Sequence, residues 1–260
     1  MNLLKRLLSV CLGLLICSWA ASAGADDFAT LSKAVLAMDK IGIEAFVEAG
    51  GDLNLADGKA GKTALILAAD RVGFEDMVLY LLEQGSAVDK KDKAGRTALS
   101  HAVAVSQKAA EYLLAAGAAV DAAADDGSTP LFWAIHGVKI RKVGLGMPER
   151  LIEKGADIHA RMNQGMLSGW TPLFAAVNND LPEVVSLLIS KGARVNQLAD
   201  NGTSALMWAS RRGATRVVRM LLSHGADPRV VGKQGETALN WAMEGKHGGV
   251  ADLLRQRLAP

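Results

Sequence analysis

The chain has 260 residues, 50% hydrophobic, 5% aromatic and 22% charged, with a formal net charge of +2. This composition excludes a disordered polyelectrolyte. Lys5 and Arg6 supply the whole charge excess, and beyond residue 23 the remaining 27 basic and 27 acidic side chains balance, which argues against a chain-wide nucleic-acid binder.

The first element is an address. Lys5 and Arg6 precede an apolar run from Leu7 to Trp19, and the small residues Ala21-Ser22-Ala23 follow. That order predicts a secretory signal peptide over 1–23, cleaved after Ala23. The run is shorter than the ~20 apolar residues that a membrane-spanning helix needs, so an uncleaved anchor is the weaker alternative. Cys11 and Cys17 both lie within this segment. After cleavage no disulfide, thiolate nucleophile or cysteine-ligated metal can form, and export without disulfides suits a bacterial periplasm.

From residue 58 onward one string recurs: Gly-x-Thr-x-Leu-x-x-Ala. It carries Thr63 and Leu65, then Thr97 and Leu99, Thr129 and Leu131, Thr171 and Leu173, and Thr237 and Leu239, with Ser204 and Leu206 in the altered copy. The hydroxyl residues are separated by 34, 32, 42, 33 and 33 positions. A second string of two aliphatics, two variable residues and glycine follows each copy, as in Leu188-Ile189-Ser190-Lys191-Gly192. The pattern reads as helix, turn, helix and extended loop. The hydroxyl caps the first helix, with Pro130 and Pro172 suited to a first helical position. Glycine at positions such as 192 stops the second helix. Asp39, Lys40 and Glu44 at one end, and Lys246, Asp252, Arg255 and Arg257 at the other, are expected to give the stack polar outer faces.

These strings resemble the ankyrin repeat, in which Thr-Pro-Leu-His-x-Ala and Leu-Leu-x-x-Gly-Ala-Asp-Val-Asn recur every 33 residues. The resemblance implies an all-α ankyrin-repeat solenoid of about seven helix-turn-helix repeats. These are a degenerate cap over 28–57 and copies at 58–91, 92–123, 124–165, 166–198, 199–231 and 232–260. The signature histidine is absent; Ile66, Ser100, Phe132, Phe174, Met207 and Asn240 occupy its slots. The threonine cap should survive this, whereas the histidine's own hydrogen bonds cannot form.

The resemblance also implies a groove that binds proteins. After the turn glycine it places Lys62, Arg96, Ser128, Trp170, Thr203 and Glu236. At the end of the first helix it places Asp70, Arg71, His136, Asn178, Asn179, Arg211 and Arg212. One residue before the signature alanine stand Leu67, His101, Trp133, Ala175, Trp208 and Trp241. Trp133, Trp208 and Trp241 share one register, either as a ladder along the groove or as packing between repeats. Trp170, beside the longest loop, is read as an exposed contact whose loss would spare stability. Arg211, Arg212, Arg216 and Arg219 form a basic stretch, either a solvated helix face or a match for an acidic patch on a partner.

The interval of 42 marks two insertions, over 138–146 and 163–168. Each is either tolerated loop or part of the binding face. Pro148 is expected near the start of a shortened second helix, because proline is costly mid-helix. No nucleophile elbow, phosphate loop, zinc-protease helix or dinucleotide fingerprint occurs, so no enzyme activity, cofactor or metal is expected. Copper held by His136, Met147, His159, Met162 and Met166 is a minor alternative. The reading is therefore a non-catalytic protein-interaction module in the periplasm, a scaffold or accessory factor with possible stress-defence links by family analogy. The alternatives are an immunity protein against a periplasm-targeted toxin and a secreted effector. A protein is the expected partner, with no nucleic acid and no membrane insertion after cleavage.

Overall fold

A computed structural model describes residues 27–139 and 145–259. The signal-peptide segment 1–23, the middle of the first insertion at 140–144 and Pro260 lie outside the described residues. Fourteen α-helices are described, in seven pairs. The first helices of the pairs are α1 (Asp27–Leu36), α3 (Ala64–Ala69), α5 (Ala98–Ala102), α7 (Pro130–Lys139), α9 (Pro172–Asn178), α11 (Ala205–Arg212) and α13 (Ala238–Glu244). Their partners are α2 (Lys40–Glu48), α4 (Glu75–Glu83), α6 (Gln107–Ala115), α8 (Gly146–Glu153), α10 (Pro182–Ser190), α12 (Thr215–Ser223) and α14 (Gly248–Leu258). Each first helix packs on its own partner and on the first helix of the next repeat, which makes a helical solenoid.

The first helices are only five to ten residues long, too short to be stable alone, so their ends and their packing decide them. Thr63, Thr97, Ser204 and Thr237 each accept the backbone N–H three residues on, at 3.1–3.4 Å. In the two proline copies the expected cap is not made. Thr171 makes no capping bond, and Thr129 Oγ1 is buried without a partner among the described residues. There the N–H of Phe132 bonds to the Thr129 carbonyl at 3.0 Å, and proline already presets the helical φ. Two of the substituted histidine slots reach back to the cap: Ser100 Oγ lies 3.4 Å from Thr97 Oγ1, and Asn240 Oδ1 accepts from Thr237 Oγ1.

Packing follows the period. Leu65, Leu99, Leu131, Leu173 and Leu206 are at most 1% exposed, and Leu81, Leu113, Leu151, Leu188 and Leu221 on the second helices are fully buried. Ala68, Ala102, Ala134, Ala176, Ala209 and Ala242 are also fully buried, and their small size lets first helices approach. Leu239, in α13, is only half-buried. At the opposite end the polar face is incomplete. Leu36, Met38 and Ile41 are exposed, while Lys40 lies over the Tyr80 ring and Glu44 accepts from the Tyr80 hydroxyl of the next repeat.

Between repeats the chain makes extended fingers, and the fingers are hydrogen-bonded in series. The N–H groups of Lys93, Asp125, Asn163 and Asp200 donate to the carbonyls of Ala60, Ala94, Asp126 and Ser168 at 2.9–3.1 Å. In the ordinary finger the bond from Asp92 N–H to the Arg96 carbonyl, or from Ala124 to Ser128, closes the base, and the N–H of Gly95 or Gly127 donates back to the carbonyl of Asp92 or Ala124 at the tip. In the fourth-to-fifth junction the equivalent bond runs from Met162 to Trp170, so four more residues are looped out. They form a 3-10 turn at Gly165–Leu167. Asn163 and Ser168 still bond to the neighbouring fingers, so the insertion leaves the stacking register intact. The other insertion lengthens α7 to ten residues, and Pro148 is the third residue of α8, within its first turn.

Candidate functional site

The fingers and the first helices face a common groove. At its N-terminal end the groove is lined by a chain of charges. Lys62 Nζ meets Asp70 Oδ2 at 2.6 Å, and His101 bridges Asp70 at 3.3 Å and Asp92 at 2.9 Å through its two ring nitrogens. These residues come from two successive repeats, so the bridge ties one repeat to the next. A neutral imidazole carries one N–H and donates to one carboxylate at a time. The hydrogen bond from His101, aided by Lys62, holds the Asp70 carboxyl well below the usual carboxylate range. For Asp92, burial opposes ionisation but is outweighed by the N–H of Arg96, by His101 and by the N–H of Ala94, so its pKa is also lowered. Groups depressed in the folded state stabilise it fully above their unfolded values, and this is lost as pH falls through the folded ones. The denaturation midpoint should therefore fall below about pH 4. Asp70→Asn should flatten this acid limb while the midpoint at neutral pH drops. His101→Ala should cost about 2 kcal/mol in urea denaturation at pH 7.

The middle of the groove is aromatic. The Arg96 guanidinium lies 4.0 Å from the centroid of the Trp133 ring, and Trp133 Nε1 donates to Ser128 Oγ at 3.1 Å. His136 sits edge-on to Trp133 at 6.3 Å. Further along, Trp170, Trp208 and Trp241 form a continuous series of edge-to-face contacts at 5.3 and 5.6 Å, with Arg211 over both Trp208 and Trp241. Trp208 Nε1 donates to Asn178 Oδ1 at 2.9 Å, and Arg212 reaches the same oxygen at 3.4 Å. The shared register of Trp133, Trp208 and Trp241 thus resolves into a ladder of Trp170, Trp208 and Trp241, with Trp133 standing apart.

Trp170 is a correction. The amino-acid order places it at an exposed loop tip, but it is 5% exposed and stacked on Phe174 at 5.8 Å. The reason is the alanine at 175: where α7, α11 and α13 carry tryptophan, α9 carries a methyl group, and the Trp170 ring folds from the finger into part of the space. The rest remains open as a cavity of about 290 Å³. Trp133 and Trp170 wall it, Phe132 and Ala175 lie beneath, and Asp126, His136, Asn178 and Asn179 supply its polar groups. Met162 and Leu167 of the lengthened finger form its lip, and Met166, 93% exposed, stands at the finger's tip.

Other expected residues are dispersed or otherwise engaged. Arg71 lies over the Phe74 ring, Thr203 is buried, and Glu236 accepts the N–H of Gln234 within its own finger. The basic stretch does not form one patch: Arg211 and Arg212 sit on α11, whereas Arg216 on α12 pairs with Glu183 at 2.7 Å. The copper reading fails on geometry, because Met147 is fully buried in the core while Met166 projects into solvent. Asp92, Asp126 and Phe132 also belong to the groove, although the repeat pattern does not single them out. Asp126 could have been found, since it stands in the finger beside Ser128, but Phe132 is disguised by its place in the histidine slot.

Fold and groove together define a class: a helical-hairpin solenoid with an open, side-chain-lined surface. A family model for ankyrin repeats in three copies matches residues 19–124, 104–199, 142–231 and 197–259. The chain belongs to the ankyrin repeat family, a family of non-catalytic binding modules that generally bind proteins. The solved ankyrin repeat domain of Bcl-3, described as a unique member of the IkappaB protein family, superposes with a TM-score of 0.71 at 30% identity. That match covers 87% of this chain and 97% of the Bcl-3 chain. The ankyrin repeat protein FPV031 of fowlpox virus is 29% identical over 146 residues, which is 55% of this chain and 42% of the viral one. Neurogenic locus notch homolog protein 1 of Homo sapiens is 35% identical over 154 residues, or 58% of this chain and 6% of its own length. The chain therefore spans less than half the length of these curated relatives.

Proposed function

We propose that this protein is an exported scaffold or accessory factor that binds a periplasmic protein through the groove of its ankyrin stack. The observation that carries the reading is the groove itself, where Trp133, Trp208, Trp241, Arg211 and Arg212 line an accessible surface. Tryptophan and arginine are the residues that dominate binding hot spots. Export is supported by the order of basic, apolar and small residues over 1–23. No helix among the described residues is long and apolar enough to cross a membrane.

Two measurements test the proposal. Residues 1–30 fused to a periplasm-dependent reporter enzyme should activate it, and a silent reporter would refute export. Tagged protein cross-linked in cells and purified from the periplasmic fraction should retain a partner that the double variant Arg211→Glu, Trp241→Ala loses, with its circular dichroism unchanged. Retention of the same partner by that variant would move the binding surface elsewhere.

A further inference from the structure

The cavity between the fourth and fifth repeats differs from the rest of the groove. It exists because Ala175 interrupts a tryptophan register and because the lengthened finger delivers Trp170 rather than a polar residue to its edge. Its volume, about 290 Å³, suits one large side chain. The more open hollow over Arg194–Leu198, about 590 Å³, has no aromatic wall.

Two features select the occupant. The first is the pair of indoles. Arg96, from the preceding repeat, lies over the Trp133 ring, and Trp133 and Trp170 both line the cavity. Indole faces attract cations more strongly than the other aromatic rings do, and a planar guanidinium can stack on them. The second is the polar lining. Asp126 Oδ1 is occupied by the N–H and hydroxyl of Ser128, whereas Oδ2 has no bond among the described residues, nor have the side chains of Asn179 and His136. A purely apolar or aromatic occupant would strip water from these groups without replacing their hydrogen bonds, which is costly above all for a carboxylate. Among the described residues that line the cavity there is no lysine or arginine, and Asp126 is the one carboxylate; the nearby cations, Arg96 over Trp133 and Arg212 at Asn178 Oδ1, touch lining residues without lining it. A guanidinium supplies donors in a flat fork and is desolvated more readily than an ammonium.

We propose that the cavity between Trp133 and Trp170 is a specificity pocket that takes a single arginine side chain of the bound partner, stacked against indole and hydrogen-bonded to Asp126. The proposal rests on the groove being the binding surface, but it can be tested without the partner.

The probe is N-acetyl-arginine amide, titrated into the full chain labelled at the indole nitrogens, with the lysine and phenylalanine amides as competitors. The expected result is saturable movement of the Trp133 and Trp170 signals, with Trp241 unmoved and a dissociation constant on the order of millimolar, as suits a ligand of this size. The lysine and phenylalanine amides should bind more weakly. Asp126→Asn, which keeps an oxygen acceptor for Ser128, should weaken the arginine probe about tenfold, the loss of one charge-assisted bond. Ala175→Trp, which restores the residue of the flanking repeats, should abolish binding, and circular dichroism checks that the array still folds. Should that variant unfold, Asp126→Asn decides. Tighter binding of the phenylalanine amide, no saturable shift, or full binding by Asp126→Asn or by a folded Ala175→Trp would each overturn the pocket assignment. A partner lost on Arg211→Glu, Trp241→Ala despite such a result would leave the groove reading standing.

Discussion

Replacing Trp170 with alanine should lower the unfolding free energy by about 3–5 kcal/mol, the range for removing a large buried aromatic from a packed site. The ring contacts Phe174 on its own repeat and Trp208 on the next, so its loss opens a void between repeats rather than on a surface. The Trp170 carbonyl accepts from Met162 and its N–H donates to Leu167, main-chain bonds that alanine can retain, so the loss reports chiefly on the ring. Because a solenoid is stabilised through nearest-neighbour interfaces, the damage should appear as a weakened junction between the fifth and sixth repeats. Urea denaturation followed by circular dichroism measures it. A loss under about 1 kcal/mol would mean that the ring is a surface contact after all, as the amino-acid order alone suggested. Trp170→Phe should retain most of the stability, since a smaller aromatic still stacks on Phe174.

Gly127→Ala should be comparably severe, about 3 kcal/mol, for a different reason. Gly127 has φ of +79°, where a side chain is strained, and a β-carbon there would lie 2.6 Å from the Arg161 carbonyl oxygen and 3.0 Å from the Asn163 nitrogen. Both are backbone atoms of the next finger, so relief requires one finger to move away from the other. The hydrogen bond from Asn163 N–H to the Asp126 carbonyl, 2.9 Å, would go with it. Since Asp126 and Met162 line the cavity, the same change should weaken the arginine probe in any molecules that remain folded. Gly249→Ala is the control. That residue is in α14 with nothing within 4 Å of a new β-carbon, and the change should raise stability by up to about 1 kcal/mol. Equal midpoints for Gly127→Ala and the unaltered chain would show that the finger series contributes little.

Much of this molecule could be read from amino-acid order because an ankyrin repeat is built from local rules. Threonine before an alanine-leucine helix, glycine after a leucine pair and a steady interval specify helix starts, helix stops and a stacking period within one repeat length. The core leucines and alanines follow from the same register. The threonine cap was legible too, but its failure at Thr129 and Thr171 was not, since proline at the first helical position lets the helix start without it.

What the order of residues left open concerns neighbours about one repeat away. The pairing of His101 with Asp70 and Asp92, and of Arg96 with Trp133, joins side chains that periodicity places near one another but does not aim. The fate of Trp170 depended on an alanine five positions on and on a tryptophan in the next repeat. Sequence by itself determined the family, the period, the buried stripe and the location of the inserted finger, because these follow from backbone propensity and burial within each unit. The tertiary structure alone decided which tryptophans pack, which charges join successive repeats and that a gap remains between the fourth and the fifth. Those outcomes are set by the space that one repeat leaves for the next.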